Sequence, residues 1–151
     1  HLASNTLNKA INNLNSLIIS EENKSPLIVL LFGVKDNNHS LPLQITEQIF
    51  LSYGHKVINC SADTPVFSLK EMLETRNPNI ILVSVTYVQN KEETLNEIKE
   101  LKRINKKINA KLFIAGASID IIENSLLKEF TLINSMKDVE EIAKNEKGIS
   151  A

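Results

Sequence analysis

Hydrophobic positions along the chain change their spacing once. From Asn5 to about Ser20, Leu7, Ala10, Ile11, Leu14, Leu17 and Ile18 recur at intervals of three and four, which predicts one amphipathic helix with a narrow apolar stripe. A helix this short is marginal alone, so its stripe needs a partner: the rest of the chain, a second copy, or a larger helical module. Glu21-Glu22-Asn23-Lys24-Ser25-Pro26 reads as a linker closed by a proline. The expected division is therefore 1–25, helix and linker, and 26–151, an α/β domain.

From Pro26 onward, short apolar runs alternate with helical patterns. Leu27–Phe32, Lys56–Cys60, Asn79–Val85, Leu112–Ala115 and Phe130–Ile133 are expected strands, the most apolar of them covered on both faces. Between them, Leu41–Tyr53 has apolar residues at 41, 45 and 49 and a stop at Gly54. Pro65–Arg76 carries Val66, Leu69, Met72 and Leu73. Lys91–Ile108 turns Leu95, Ile98, Leu101 and Ile104 inward and its lysines and glutamates outward, while Ile119–Leu127 and Lys137–Lys144 complete the helices. Strands alternating with helices predict an α/β fold: a flavodoxin-like (Rossmann-like) five-stranded parallel sheet, order 2-1-3-4-5, with helices on both faces. Ligands of such sheets bind outside the carboxyl ends of the strands, near the switch point between strands 1 and 3. The loops to search are Val34–Ser40, Ser84–Asn90 and Ala115–Ser118.

Composition narrows the function classes. With 151 residues, 42% of them hydrophobic, the chain can bury a core without staples. Its 17 basic and 18 acidic side chains leave a net charge of −1, with no electrostatic footprint for DNA or an acidic membrane. A single cysteine, Cys60, excludes an internal disulfide and a multi-cysteine zinc site. The longest apolar run is too short to span a bilayer and no leader opens the chain, so a cytoplasmic protein without a membrane partner is expected. Activated nucleophiles, paired carboxylates and zinc motifs are missing, and the expectation is a non-enzyme.

The loop after strand 1 holds His39 just ahead of a helix. A neutral imidazole is a metal donor whose second nitrogen is usually held by a carboxylate or amide; the alternative is a solvated surface residue. His55, beside Gly54 at a turn, is read as solvated surface, and His1 is a chain end. A phosphate-cradling loop would need more glycines than Gly33. A phospho-acceptor domain would need paired acids after strand 1 and an aspartate ending strand 3, where this chain has Gly33 and Ser84-Val85-Thr86. Ser84 and Thr86 alternate with Val85, so their hydroxyls share one side of the sheet, to meet a ligand or to satisfy nearby backbone. Ala115-Gly116 permits close backbone approach, or simply forms a strand-end turn.

His39, Ser61-Ala62-Asp63-Thr64-Pro65, Ser84-Val85-Thr86 and Ala115-Gly116 fall in the order and positions typical of cobalamin (vitamin B12)-binding domains. From about Ile28 to Ala143 the chain resembles these domains, and among them the C-terminal sensor of MerR-type cobalamin-dependent transcriptional regulators, for which the Ala-Asp-Thr-Pro turn is characteristic. The resemblance implies cobalamin as cofactor, with His39 replacing dimethylbenzimidazole as the lower axial ligand of cobalt. It places the displaced nucleotide tail in a slot lined by Ser84, Thr86, Ala115 and Gly116. It further implies a homo-oligomer, and DNA binding only through a domain absent from this chain.

Three positions depart from that pattern. The acidic residue two before the histidine is Asn37, the glycine three after it is Pro42, and the first glycine of the pair after strand 4 is Ala115. Each predicts a weakened or lost cobalamin site. A degenerate fold serving as a protein–protein or oligomerisation module is therefore the second reading. The third is a corrinoid-carrying subunit of a mutase or methyltransferase, whose Asp-x-His-x-x-Gly motif stands here as Asn37-x-His39-x-x-Pro42. The regulators' helical cap carries a tryptophan, and this chain has none, so no light response is implied.

Overall fold

The structure, a computed structural model, describes residues 7–9 and 26–146. Residues 7–9 are helical; the remainder of the helix predicted over 5–20 lies outside the described residues. Beyond Pro26 the expected alternation is present as β1 (Ile28–Gly33), α1 (Leu41–Ser52), β2 (Lys56–Asn59), α2 (Val66–Arg76), β3 (Ile80–Ser84), α3 (Lys91–Ile108), β4 (Lys111–Ala115), α4 (Asn124–Leu127), β5 (Phe130–Ile133) and α5 (Met136–Asn145). All strand pairs are parallel and the order is β2-β1-β3-β4-β5, the predicted topology.

Period-two alternation within the strands divides the core between the two faces of the sheet. Leu30, Phe32, Ile81, Val83, Leu112 and Ile114 meet Leu69 and Leu73 of α2 and Ile98, Leu101 and Ile104 of α3. Val29, Leu31, Ile80, Leu82 and Phe113 meet Leu43 and Phe50 of α1 and Val139 and Ala143 of α5. Every residue of β3 is buried, as the central strand of a doubly covered sheet requires.

Two helical expectations need correction. The buried line of α1 is Leu43, Thr46 and Phe50; Leu41, Ile45 and Ile49 flank it half-buried. Thr46 tolerates burial because its hydroxyl donates to the Pro42 carbonyl one turn back, at 2.8 Å. The helix predicted over Ile119–Leu127 is broken: a 3-10 turn covers Ile119–Ile121, Ile122 is extended (φ −87°, ψ 128°), and helix resumes only at Asn124. Ile122 is 3% exposed, and the extended residue lets it enter the core on the α2/α3 side of the sheet.

Helix ends at the carboxyl edge of the sheet are capped in three different ways. The Asn90 side chain accepts from the Glu93 amide (3.1 Å) to start α3. A reciprocal capping box between Ser135 and Asp138 starts α5. α2 begins after Pro65 without a side-chain cap of its own. Its first amide, Val66 N–H, donates instead to Glu97 of α3 at 3.0 Å.

His55 is not a surface residue. It is 3% exposed, accepts the Leu27 amide proton on Nδ1 (3.1 Å) and lies 2.7 Å from the Ala143 carbonyl through Nε2. An amide can only donate and a carbonyl only accept, so the ring is neutral with its proton on Nε2. Phe50 stands edge-on to it, with the ring centroids 5.9 Å apart. The turn at Gly54 (φ 82°) steers the following histidine inward.

Candidate functional site

The β1–α1 and β2–α2 loops are bonded to each other rather than hanging free. Gly33 N–H donates to Ser61 O, Thr64 N–H to Gly33 O and Asp63 N–H to Asn37 O, each at 2.9 Å. The Asp63 carboxylate accepts from the Asp36 amide at 2.7 Å. Asp36, Ser61 and Asp63 all adopt positive φ (66°, 70° and 55°), a cluster of left-handed residues that these bonds hold in place. Ala-Asp-Thr-Pro is thus one half of a two-loop cradle, with the Asp63 side chain as its clasp.

Asn37 sits at the centre of that cradle with no exposed surface. Its amide nitrogen donates to the Ser84 carbonyl (3.0 Å) and reaches the Ser84 hydroxyl (3.3 Å). The Ser84 carbonyl also accepts the Val34 amide (3.1 Å), so both its lone pairs are used. Asn37 Oδ1 is buried and has no hydrogen-bond partner. Gly33 belongs here too: a Cβ on it would lie 3.0 Å from the Asn37 amide and 3.1 Å from Ala62 Cα.

Ser84 is buried and Thr86 half-buried, and their hydroxyls are 3.2 Å apart on one side of the sheet, as their alternation predicts. On the β4 side, Gly116 has φ +126°, and a Cβ there would stand 2.3 Å from the Val85 carbonyl oxygen. Its smallness serves the crossing of two loops. Ser118 strengthens that crossing, its amide donating to Val85 O (3.0 Å) and its hydroxyl to Thr86 O (2.9 Å). Ala115 ends β4 half-buried, its carbonyl accepting from Val85 N–H at 2.7 Å.

His39 is exposed at the same edge of the sheet, and no hydrogen bond holds its ring among the described residues. The structure therefore brings Asn37, Ser84 and Thr86 into one hydrogen-bonded group. Ala115 and Gly116 form the neighbouring wall, and His39 lies in the β1–α1 loop, exposed to solvent. Pro42 lies in the first turn of α1, where a proline is pre-shaped for the helix and displaces no hydrogen bond.

Sequence reasoning missed Glu97, grouped with the outward-facing glutamates of α3. It is half-buried, and its two carboxylate oxygens accept from Val66 N–H (3.0 Å) and Lys35 N–H (3.2 Å), tying α3 to the start of α2 and to the β1–α1 loop. Burial pushes its pKa above the ordinary carboxylate value, against the two backbone donors and Lys35; Glu93 adds to the rise. The Lys35 ammonium is held by Glu93 at 2.6 Å, which raises its own pKa. No local motif marks Glu97, because its partners lie 31 and 62 residues away. Cys60 is half-buried against Met72 Sδ (3.7 Å), and burial pushes its thiol upward, making it a poor nucleophile.

Among the described residues, no group of three or more His, Cys, Asp and Glu side chains could hold a metal ion. A lone imidazole cannot hold a bare ion, but it suffices as an axial ligand to a metal that brings its own equatorial donors. The half-buried Thr86 hydroxyl also suits an organic cofactor with amide and ring-nitrogen groups. By this test of donor chemistry the residues present fit a corrinoid.

Comparison with known proteins supports the fold. No protein-family model and no curated protein sequence matches the chain. Among solved structures it is similar to a cobalamin-binding protein from Desulfitobacterium hafniense (TM-score 0.64, 16% identity), covering 79% of this chain and 58% of that one. It is also similar to the methanol:cobalamin methyltransferase complex of Methanosarcina barkeri (TM-score 0.63, 10% identity, 83% and 50% covered). The monomethylamine corrinoid protein of the same organism matches at TM-score 0.67 and 10% identity, with 93% and 66% covered. The fold is that of the flavodoxin-like cobalamin-binding domains, and the chain spans between half and two thirds of the length of these neighbours. Among the described residues, no helix is long and apolar enough to cross a membrane.

Proposed function

We propose that the chain is a cobalamin-binding module in which the His39 imidazole would hold the cobalt of the cofactor. The nucleotide tail of the cofactor would lie against Ser84, Thr86, Ala115 and Gly116. The observation that carries this reading is the exposed, unheld imidazole of His39 at the carboxyl edge, two residues from a buried acceptor that lacks a donor. Bound cobalamin would supply the organometallic chemistry; the residues of this chain bind and orient it. The module acts as a carrier or sensor and catalyses nothing itself. Exposed Phe67 (78%) and Tyr87 (52%), at the start of α2 and just beyond β3, flank the edge with apolar surface suited to the cofactor rim or to a covering module.

Titration of the protein with hydroxocobalamin, followed by absorbance, tests the reading. A spectral shift that His39→Ala abolishes is expected; no shift, or one indifferent to that substitution, overturns it.

The role we favour is ligand sensing in a MerR-type transcriptional regulator, supported by the Ala62-Asp63-Thr64-Pro65 turn and the clasp it forms. A corrinoid-carrying subunit is the second reading, favoured by the methanol:cobalamin methyltransferase complex and the corrinoid protein among the structural neighbours. Cobalamin-dependent change in the affinity of the full-length gene product for its own promoter DNA is expected of the first. A methyltransferase activity of a partner protein that depends on adding this chain loaded with corrinoid is expected of the second.

A further inference from the structure

We propose that the outer face of α3 is a self-complementary interface, joining two copies of this chain antiparallel across a twofold axis. The proposal rests on the helix and its neighbours and is independent of the cofactor.

The inner face of α3 is committed to the core through Thr94, Ile98, Leu101 and Ile104. Its outward side changes sign halfway along. Glu92, Glu93, Glu97 and Glu100 crowd the half at the carboxyl edge of the sheet, and Lys99, Arg103, Lys106 and Lys107 the half at the amino edge. Acids early and bases late also complement a helix's own dipole, but that effect fades beyond the terminal turns. Here the acidic run continues inward to Glu97 and Glu100, and it borders apolar surface. A groove of about 480 Å³ separates α3 from the start of α2, lined by Pro65, Val66 and Phe67 together with Glu93, Glu97 and Glu100. Phe67 is 78% exposed, and Lys35, the cation among the lining residues, is already held by Glu93.

Such a groove fits an ammonium carried on an apolar stem. The chain offers two at the far end of the same helix. Lys106 lies thirteen residues beyond Glu93, about 20 Å along α3, so it cannot reach the groove of its own chain. A second copy running antiparallel brings it there. With Asn96 of one α3 opposite Arg103 of the other, Glu92 faces Lys107, Glu93 faces Lys106, Glu97 faces Lys102 and Glu100 faces Lys99, each pair occurring twice. Lys91, the exception in the acidic half, falls opposite Ile108. A parallel pair would set acid against acid and base against base. Lys99, Lys106 and Lys107 are exposed and form no ion pair among the described residues, which leaves them available to a partner.

Because α3 runs from the carboxyl edge to the amino edge, the twofold sets the two cradles at opposite ends of the dimer, and both stay open. Exposed ion pairs contribute little singly, so the dimer is expected to be weak and sensitive to salt.

Sedimentation velocity at low salt is expected to show a concentration-dependent dimer, weakened at least about tenfold by about 0.5 M sodium chloride. Carbodiimide, which joins a carboxylate directly to an amine, is expected to link Glu92 or Glu93 to Lys106 or Lys107, a link that no single straight helix can make within itself. The double variants Glu92→Lys with Glu93→Lys, and Lys106→Glu with Lys107→Glu, are each expected to be monomeric. Their equimolar mixture is expected to form a heterodimer, since every reversed charge then meets its opposite. A monomer at all salt concentrations, or a dimer that neither double variant weakens, overturns the proposal. If a double variant fails to fold, the cross-links of the unsubstituted protein decide: links between the two ends of α3 support the interface, and links confined to other surfaces overturn it.

Discussion

His55 Nδ1 accepts the amide proton of Leu27 at 3.1 Å, joining the entry of β1 to the turn that precedes β2. Through its other nitrogen the same ring reaches Ala143 of α5, so one neutral imidazole ties three chain segments together. Leu27 N–H and Ala143 C=O would both lose a buried partner without it. His55→Ala is expected to lower stability by about 3 kcal/mol, from the cavity and the unpaired groups together. Urea unfolding followed by far-ultraviolet circular dichroism measures this, and a loss below about 1 kcal/mol would contradict the bridging role.

His39 should behave in the opposite way. Its ring is exposed and unheld among the described residues, so His39→Ala is expected to leave the cofactor-free protein within about 0.5 kcal/mol of the original. The same denaturant experiment checks it. A larger loss would reveal a structural role and undermine the use of this variant as a clean probe of ligation.

At the β3–β4 crossing, Gly116→Ala would press a methyl group to 2.3 Å from the Val85 carbonyl oxygen at a φ of +126°. The variant is expected to lose about 3 kcal/mol or more, or to fail to fold. Ala115→Gly next to it should cost no more than about 1 kcal/mol. Comparing the melting temperatures of the two variants separates the tight contact from a general sensitivity of this loop.

Glu97 gives a pH dependence with a definite sign. Burial raises its pKa in the folded protein, so the native state holds the proton more tightly than the unfolded chain does. Its contribution to stability is therefore fully present below the ordinary carboxylate value and is lost as pH rises through the raised one. Carbon-detected NMR titration of the Glu97 carboxyl should give a midpoint above the ordinary glutamate value; a midpoint at or below it would show that the two backbone donors outweigh desolvation.

The sheet was legible because each buried strand is a run of apolar residues too short for a helix, and the order followed from alternation with helices. What remained hidden depends on partners distant in sequence. His55 looks like a turn residue until α5 returns to cover it, and Asn37 looks like a degraded carboxylate until Ser84, 47 residues on, is seen to need an amide. The line 41/45/49 in α1 missed the buried face because Thr46, which lies on it, hides its hydroxyl on the backbone. The break at Ile122 follows from core geometry, which helical spacing does not encode. Of the candidate site, residue types and loop positions could be read from the chain; the bond directions that give them meaning could not.

The carboxylate of Glu97 has a mechanical consequence. Because it accepts from both Val66 N–H and Lys35 N–H, a tilt of α3 would strain or break its bond to the strand-end segment that carries Asn37 and His39. A load on that helix would therefore reach the cradle through a single side chain.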